Sequence, residues 1–308
     1  MVQVTDTTVP RRPDPAVDGV SALDAALAFE SVLGRLYQGD CLQLFPEIDA
    51  DSVDLLFADP PFNLGKDYGL GVKDSLGETD YLTWTSHWIT HAARVLKPGG
   101  SMFVFHLPKW NVEIGHLLND LAMVFRHWIA VDIKLSLPIQ GRLYPAHYSL
   151  LYYTKGKPRR FQNLRVPIPI CRHCGGDIKD YGGHRGKLHP QGLNLSDVWL
   201  DIPPVRHRST KRRAANELSE KLLRRVLEIA SAPGDVVLDP FGGSGTTFAV
   251  AEQLHRHWIG FELGDCEPIV GRLRGEQPRV PPKNLGDARK GMKRPRSSTG
   301  ARLVNLFD

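Results

Sequence analysis

Asp59-Pro60-Pro61-Phe62 brings a carboxylate, two prolines and an aromatic ring together directly after the apolar run Val53–Phe57. The run is short and mostly apolar, which predicts a buried parallel strand. Proline neither continues a strand ladder nor allows an immediate helix, so this stretch, which we name the Asp-Pro-Pro-Phe turn, is expected to leave the sheet rigid and extended. Open α/β sheets bind their ligands at the carboxyl ends of strands. A carboxylate, fixed carbonyls and an aromatic face at such a position could hold a planar ring that carries an amine.

A second candidate binding element follows the predicted strand Val236–Leu238. It is a glycine-rich turn, residues 239–247, that runs into a predicted helix, and this order lets a ligand approach the backbone closely. The turn lacks the lysine of a phosphate-binding P-loop and the glycine spacing of a dinucleotide site. The next predicted strand ends at Glu262, whose carboxylate could accept hydrogen bonds from both hydroxyls of a ribose.

The two turns resemble the Asp-Pro-Pro-Tyr/Phe and Phe-x-Gly-x-Gly motifs of methyltransferases that modify exocyclic amines of DNA bases. The second motif is carried by residues 241–245. Residues 197–204 and 216–223 are similar to the segment before the cofactor half in one subgroup, the β class, where the target motif comes first, the recognition segment next and the cofactor motif last. The similarity covers residues 34–275. It implies a class I methyltransferase that uses S-adenosylmethionine to methylate adenine N6 in double-stranded DNA.

The resemblance also implies a role for each matching residue. Asp59 and the Pro60 carbonyl would accept the two N–H bonds of the target amine, and Phe62 would stack on the flipped base. Asp40 would lie near the adenine of the cofactor and Lys221 near its methionine end. The family more often has Thr-Gln-Lys-Pro where this chain has Ser-Glu-Lys-Leu, so an ordinary surface lysine is the alternative there. The implied catalytic residues are Asp59, Pro60, Pro61 and Phe62, and the implied cofactor-binding residues are Asp40, Asp239, Phe241, Gly243, Gly245, Thr246, Lys221 and Glu262.

Three other functions compete with adenine methylation. Cytosine N4 is the chemically nearest target, but family usage there favours Ser-Pro-Pro over a sequence that begins with Asp59. A non-catalytic DNA-binding subunit could keep the fold for structure, although the intact Asp59 and Phe62 argue against it. Methylation of a protein glutamine usually goes with Asn-Pro-Pro-Tyr, and the basic segment described below also disfavours it.

Strands and helices alternate along most of the chain, which predicts a doubly wound, mostly parallel α/β sheet. Helices are expected at residues 80–96, 217–231 and 246–255. His106, in a predicted buried strand, is expected to be structural. Together with the resemblance, the alternation predicts seven strands in permuted motif order. The predicted parts are a mobile N-terminal arm at 1–31, a methyltransferase domain at 32–278 with an inserted basic target-recognition segment at 156–213, and a basic disordered tail at 279–308.

Positive charge is concentrated in two segments. The 308-residue chain has a formal net charge of +5, yet residues 155–213 carry 14 Lys and Arg against four Asp and Glu, and residues 279–308 carry eight against two. An otherwise acidic chain with two basic segments indicates a polyanionic partner, which the resemblance identifies as double-stranded DNA. The family also implies a restriction endonuclease as a candidate partner. Monomer and homodimer both stay open.

Cys171 and Cys174 form a Cys-x-x-Cys pair, and His184 and His189 could complete a four-ligand zinc site. Reduced thiols in a loop are the favoured alternative. Four cysteines at these spacings make no disulfide framework, which indicates a reducing cytoplasm. No apolar stretch approaches the roughly 20 residues of a membrane span, and the amino terminus does not resemble a signal sequence. A cytoplasmic protein without membrane contact is therefore expected.

Overall fold

One mixed, mostly parallel sheet of nine strands organises the part of the chain that the computed structural model describes. The described residues are Leu23, 26–64, 75–133, 140–141, 143–168, Ile170, 173–177, 179–203 and 217–276. The predicted tail at 279–308 and nearly all of the predicted arm before residue 26 lie outside them. The strands of the large sheet are β1 (Leu27–Glu30), β2 (Gly34–Gln38), β3 (Val53–Ala58), β4 (Leu96–His106), β5 (Val124–Asp132), β6 (His147–Thr154), β9 (Val198–Trp199), β10 (Val236–Asp239) and β11 (His257–Glu262).

The order of strands across the sheet is β1-β2-β11-β10-β3-β4-β6-β5-β9. The five neighbours from β2 to β4 run parallel to one another, and β6 runs antiparallel between β4 and β5. Two short strands of the inserted segment, β7 (Arg165–Val166) and β8 (Leu193–Asn194), pair with each other outside this sheet. The α/β fold class predicted from the sequence is confirmed.

The sheet has two strands more than the seven predicted, one at each edge. β1 pairs antiparallel with β2 and lies inside residues 1–31, which were predicted to be a mobile arm. β9 pairs with β5 and comes from residues 156–213, which were predicted to be a separate insertion. These two short parts of the predicted arm and the predicted insertion therefore belong to the main sheet. Neither strand exceeds four residues, which is too short for hydrophobic alternation to reveal. Trp199 of β9 is buried in the core, and this packing holds β9 at the edge of the sheet.

Helices cover both faces of the sheet. The clusters of buried side chains divide accordingly: α1 to α3 contribute to one core, around Trp88 and Ile114, and α4 to α6 to the other, around Val226 and Phe248. The predicted helices correspond to α2, α4 and α5. Among the described residues, every helix is too short or not apolar enough to cross a membrane. The helices are α1 (Cys41–Leu44), α2 (Glu78–Val95), α3 (Pro108–Asp120), α4 (Glu220–Ala230), α5 (Thr246–Gln253) and α6 (Glu267–Leu273), with 3-10 turns at Phe45–Glu47 and Arg185–Lys187.

The parallel neighbours β3 and β10 form the switch point of the sheet. Val237 lies opposite Leu55 and Leu238 opposite Leu56, so the two strands end at nearly the same level. After β3 the chain passes through α2 to β4 on one side, whereas after β10 it passes through α5 to β11 on the other. Connections that diverge in this way leave a crevice at the carboxyl ends of the strands. The Asp-Pro-Pro-Phe turn and the glycine-rich turn both begin there.

A buried carboxylate holds β3, β4 and β10 in register. Asp54 of β3 accepts hydrogen bonds from the Lys97 ammonium at 2.6 Å and from the Val236 N–H at 3.0 Å, and it forms an ion pair with Arg159. Burial alone would raise the pKa of Asp54, but the hydrogen bonds from Lys97 and Val236 and the charges of both cations outweigh it and hold the pKa below its ordinary value.

Asp54→Asn is expected to lower the free energy of unfolding at pH 7 by about 2 kcal/mol, because it weakens charge-assisted hydrogen bonds. The pKa of Asp54 is depressed in the folded state, so its contribution is present above the ordinary value of 3.8 and is lost as the pH falls through the folded pKa. Urea unfolding at pH 7 and pH 3 measures both effects. Asp120→Asn, which removes an exposed carboxylate 3.6 Å from His116, is the control and should change little. An equal loss in the two variants would contradict the role of Asp54.

Candidate active site

A single cavity at the switch point joins the two turns that the sequence singled out. Asp59 of the Asp-Pro-Pro-Phe turn lines it, together with the glycine-rich turn, the start of α5 and the segment that leads into α4. Two parts of the chain that are far apart in sequence therefore build one site. The lining residues are Asp59, Glu217, Leu218, Asp239, Phe241, Gly242, Gly243, Ser244, Thr246 and Thr247.

Contacts from two helices and two strands hold the Asp-Pro-Pro-Phe turn. The Tyr81 hydroxyl of α2 donates to the Pro61 carbonyl at 2.6 Å, and the Trp110 indole of α3 donates to the Phe62 carbonyl at 3.0 Å. The Phe62 ring stacks on the His106 imidazole, with centroids 4.8 Å apart and planes 26° apart, and packs against Tyr148 at 5.8 Å. Contacts from neighbouring helices and strands thus fix the turn.

Tyr148 is a neighbour of the carboxylate that sequence reasoning did not single out. Burial raises the pKa of its phenol, and the negative charge of Asp59 raises that pKa further. The hydroxyl therefore stays protonated beside Asp59 at neutral pH. The sequence showed only an aromatic residue near the start of a strand, and its position beside Asp59 depends on how β6 packs next to β4.

The glycine-rich turn needs glycine for two reasons. Gly245 has a φ of +75°, a left-handed conformation that other residues avoid, and a Cβ there would lie 2.7 Å from Ile269. A Cβ on Gly242 would lie 3.0 Å from the Phe261 carbonyl oxygen, which accepts the Gly242 N–H at 2.7 Å. The backbone of the turn therefore packs closely against β11 and α6 while its other side lines the cavity.

Asp239 anchors the beginning of the glycine-rich turn from a fully buried position. One carboxyl oxygen accepts the Phe241 N–H at 2.9 Å, and the other accepts the Thr247 hydroxyl at 2.6 Å. Burial raises the pKa of Asp239 to about 7, the charge of Glu262 adds to this, and the two hydrogen bonds oppose it. Protonated and ionised forms are therefore both populated near neutral pH.

Glu262 holds the other end of the same turn. Its carboxylate accepts the Gly243 N–H at 2.6 Å and the Gly264 N–H at 2.7 Å. Both oxygens thus bind backbone at the carboxyl end of β11, next to the cavity and not in its wall. The predicted contact of Glu262 with ribose hydroxyls stays a prediction.

Three further predicted cofactor-binding residues, Asp40, Gly245 and Lys221, are also not among the residues that line the cavity. Asp40 accepts the Leu42 N–H at 2.9 Å and caps the amino terminus of α1. Lys221 forms an ion pair with Asp201 at 2.6 Å, and Arg225 binds the same carboxylate. These contacts give Asp40 and Lys221 a structural role, and their roles toward a cofactor stay predictions.

Glu217 is a cavity residue that the sequence did not identify. Its side chain is almost fully buried and pairs with Arg272 of α6 at 3.1 Å, and the Arg272 guanidinium also donates to the Ser244 carbonyl at 2.8 Å. The pair joins the glycine-rich turn to the segment that precedes α4. A glutamate three residues before a helix is common, so only the fold reveals that it faces the cavity.

The predicted zinc ligands are only partly described. Cys171 lies outside the described residues, whereas Cys174 is exposed with a free thiol. The backbone N–H of His184 donates to Asp180, and the His189 ring accepts the Gln191 N–H. In the described part of the chain, no group of three or more His, Cys, Asp or Glu is arranged to hold a metal ion.

The doubly wound sheet and the cavity at its switch point define a protein of the class I methyltransferase type. The chain belongs to the DNA methylase family N6_N4_Mtase, which matches residues 53–266. It is 57% identical to Type II methyltransferase M.BamHI of Bacillus amyloliquefaciens over 249 residues, 80% of this chain and 59% of that protein. It is 31% identical to DNA adenine methyltransferase YhdJ of Escherichia coli (strain K12) over 235 residues, 74% of this chain and 78% of that protein.

A solved structure supports the fold independently. The PvuII DNA methyltransferase (cytosine-N4-specific) is similar with a TM-score of 0.58 and 20% identity, over 81% of this chain and 88% of that chain. At this identity the similarity concerns the fold alone. The chain spans 59% of the length of M.BamHI, so the sequence aligned here matches part of that longer relative.

S-adenosylmethionine is the methyl donor in this family, and the chemistry of the residues that line the cavity suits it. The glycine-rich turn offers backbone without side chains, and Phe241 offers an aromatic surface beside it. The hydroxyl groups of Ser244, Thr246 and Thr247 also lie in the wall and can form hydrogen bonds with the polar groups of such a ligand. Phe241 is itself supported by Trp84 and Trp88, with ring centroids 5.8 and 5.4 Å away.

Asp239→Asn is expected to change the pH dependence of stability. With a folded-state pKa of about 7 and an ordinary value of 3.8, Asp239 binds more protons in the folded than in the unfolded state between these values, so stability falls as the pH rises. Asparagine keeps an acceptor for the Phe241 N–H and has no charge to bury. In urea unfolding, the variant should gain stability relative to the wild type from about pH 4 to pH 7 and level off above. Parallel pH curves for the two proteins would contradict a raised pKa.

Proposed function

We propose that this chain is a DNA methyltransferase that transfers a methyl group from S-adenosylmethionine to the exocyclic amine of a base in double-stranded DNA. One observation carries the proposal: Asp59 of the Asp-Pro-Pro-Phe turn lines the same cavity as the glycine-rich turn, at the switch point of the sheet. Membership of the DNA methylase family and the names of the similar proteins support it.

The chemistry that the cavity must perform is the activation of a weak nucleophile. The lone pair of an exocyclic amine is delocalised into the ring of the base. The Asp59 carboxylate accepts one N–H and the Pro60 carbonyl the other, which directs the lone pair away from the ring plane, and a charged acceptor does this more strongly than a neutral one. S-adenosylmethionine, when bound, supplies the electrophilic methyl group. The rigid turn holds the amine in line with it, so that orientation contributes to the rate.

The base must leave the duplex to reach this site. Flipping costs a few kcal/mol. Stacking on an aromatic ring such as Phe62 returns about 1–3 kcal/mol, and the basic residues of 155–213 contribute phosphate contacts. The Tyr148 phenol, which packs against Phe62, stays protonated and neutral. Asp59 is therefore the charged group that would face the amine.

Two bases are candidates for the methylated amine. Adenine N6 is the proposed target, because the family more often has serine in place of Asp59 when the target is cytosine, and because YhdJ is named a DNA adenine methyltransferase. Cytosine N4 is the second candidate, supported by the PvuII enzyme, which is named cytosine-N4-specific. Both amines present two N–H bonds in the plane of a ring, so the acceptors at Asp59 and Pro60 suit either.

The proposed partners follow from the same proposal. Double-stranded DNA is the substrate, and the Type II names of relatives such as M.BamHI support a restriction endonuclease that recognises the same site. A cytoplasmic location is proposed with this function, because the enzyme must reach the DNA that it methylates. The Cys174 thiol is free and exposed, and a zinc site that also uses Cys171 stays a prediction.

The modified nucleoside identifies the target directly. The protein is incubated with unmethylated DNA and methyl-labelled S-adenosylmethionine, and the DNA is then digested to nucleosides, which are separated. Labelled N6-methyldeoxyadenosine is the expected product. Label in N4-methyldeoxycytidine would replace adenine by the second candidate and keep the proposed class of reaction. A protein that binds S-adenosylmethionine yet labels no nucleoside would overturn the function.

Asp59→Ala is expected to reduce methyl transfer at least 1,000-fold, about 4 kcal/mol of transition-state stabilisation, because the charged acceptor is lost from the reacting amine. The affinity for S-adenosylmethionine should stay within a few fold, since the glycine-rich turn is intact. Single-turnover transfer assays and isothermal titration measure the two quantities. Asp120→Ala, an exposed carboxylate on α3, is the matched control. Equal losses of transfer and cofactor binding would contradict the role of Asp59 in the chemistry.

A further inference from the structure

The Asp-Pro-Pro-Phe turn is poor in hydrogen-bond donors. Pro60 and Pro61 have no backbone N–H, so the middle of the turn can be fixed only through its carbonyl oxygens and through packing. A turn that must present a carboxylate and a carbonyl to a reacting amine cannot tolerate an error of even 1 Å without a large loss of rate. Donors from other elements must therefore supply the precision that the turn lacks.

The Tyr81 hydroxyl is one such donor, and it has a second partner behind it. It lies 2.6 Å from the Pro61 carbonyl oxygen and 2.6 Å from Nε2 of His106. The other ring nitrogen of His106, Nδ1, accepts the backbone N–H of Leu107 at 2.7 Å. A ring nitrogen that accepts has no proton, so in the neutral imidazole the proton is on Nε2.

These contacts fix the direction of a chain of hydrogen bonds. The Leu107 N–H donates to Nδ1, the His106 Nε2–H donates to the Tyr81 oxygen, and the Tyr81 hydroxyl donates to the Pro61 carbonyl. Burial lowers the pKa of His106 to about 3, with the Pro61 carbonyl acting in the opposite sense. His106 therefore stays neutral at physiological pH, and the direction of the chain does not reverse.

The same imidazole also touches the aromatic end of the turn. Its face stacks on the Phe62 ring at 4.8 Å, while its edge reaches the Tyr81 hydroxyl. His106 and Tyr81 are both buried, so neither side chain has room to move away from these contacts. One pair of side chains thus controls the carbonyl of one residue in the turn and the ring of the next.

We propose that Tyr81 and His106 are positioning residues for methyl transfer. Their hydrogen-bonded pair fixes the Pro61 carbonyl and the Phe62 ring. Because the turn is stiff, this also fixes the Asp59 carboxylate relative to the target amine. The inference rests on the proposed function and names how the same site obtains its geometry.

The test removes one hydroxyl and compares it with a matched one. Tyr81→Phe keeps the ring and deletes the hydroxyl, which removes both the donor to the Pro61 carbonyl and the acceptor of the His106 Nε2–H. Tyr153→Phe is the control, because Tyr153 is also buried and its hydroxyl donates to a backbone carbonyl, that of Gly115 at 3.3 Å, with no contact to the turn. In single-turnover assays with excess enzyme, Tyr81→Phe should transfer methyl 10- to 100-fold more slowly than the wild type. The dissociation constants for DNA and S-adenosylmethionine should stay within twofold.

A second pair of variants separates the effect of the His106 N–H donor from the effect of the volume of the His106 side chain. His106→Gln keeps an N–H that can reach the Tyr81 oxygen, whereas His106→Leu fills a similar volume without a donor. The glutamine variant should retain at least tenfold more of the transfer rate than the leucine variant, with similar thermal midpoints. A merely structural role would lower the rate in proportion to stability and would not distinguish the two.

A readout without catalysis keeps this inference separate from the proposed function. Amide signals of Phe62 and Asn63 in ¹H–¹⁵N spectra report the conformation of the turn. They should shift in Tyr81→Phe and stay at the wild-type positions in Tyr153→Phe, whether or not the protein methylates DNA. Unshifted signals, or a transfer rate within twofold of the wild type in Tyr81→Phe, would overturn the proposal. A wild-type protein that labels no DNA would instead reject the proposed function.

Discussion

The parallel pairing of β3 with β10 is the constraint on which the site depends. Residues from opposite ends of the chain meet there in a fixed register, with Leu55 beside Val237. A shift of two residues would move one turn by about 6.6 Å relative to the other and separate the acceptor from the cofactor side of the cavity. Asp54 of β3 stabilises this register, because its carboxylate accepts a hydrogen bond from the backbone N–H of Val236 in β10. The same strand pairing therefore stabilises the sheet and fixes the geometry of the site.

The groups around the cavity divide into a neutral frame and a few charges. Burial favours the neutral forms of His106 and Tyr148, and it raises the pKa of Asp239 to about 7. These three side chains hold the two turns in place. The carboxylates of Asp59 and Glu217 lie in the wall itself. Glu217 is paired with Arg272, so Asp59 is the carboxylate that the proposed function assigns to the amine of the base.

The two turns could be predicted from the sequence because each carries its own local cause. The two prolines end β3 in any surroundings. A glycine such as Gly245 allows a left-handed backbone and a close approach of a ligand or another element in any fold. The supporting residues could not be predicted in the same way. Tyr81 lies on the apolar side of a helix, which predicts burial but not that its hydroxyl meets the Pro61 carbonyl. Asp40 and Lys221 were assigned from family position, which could not predict the helix cap and the ion pair that they form.

The order of strands has a consequence for how the polypeptide is made. β10 and β11 lie between β2 and β3 in the sheet, although both follow them by most of the length of the chain. Until residues 236–262 have been synthesised, the two strand positions between β2 and β3 are unfilled. The sheet closes only after residue 262 has emerged, and such long-range closure is slow. A nascent fragment therefore has no binding crevice, and the crevice comes into existence in the same step that completes the fold.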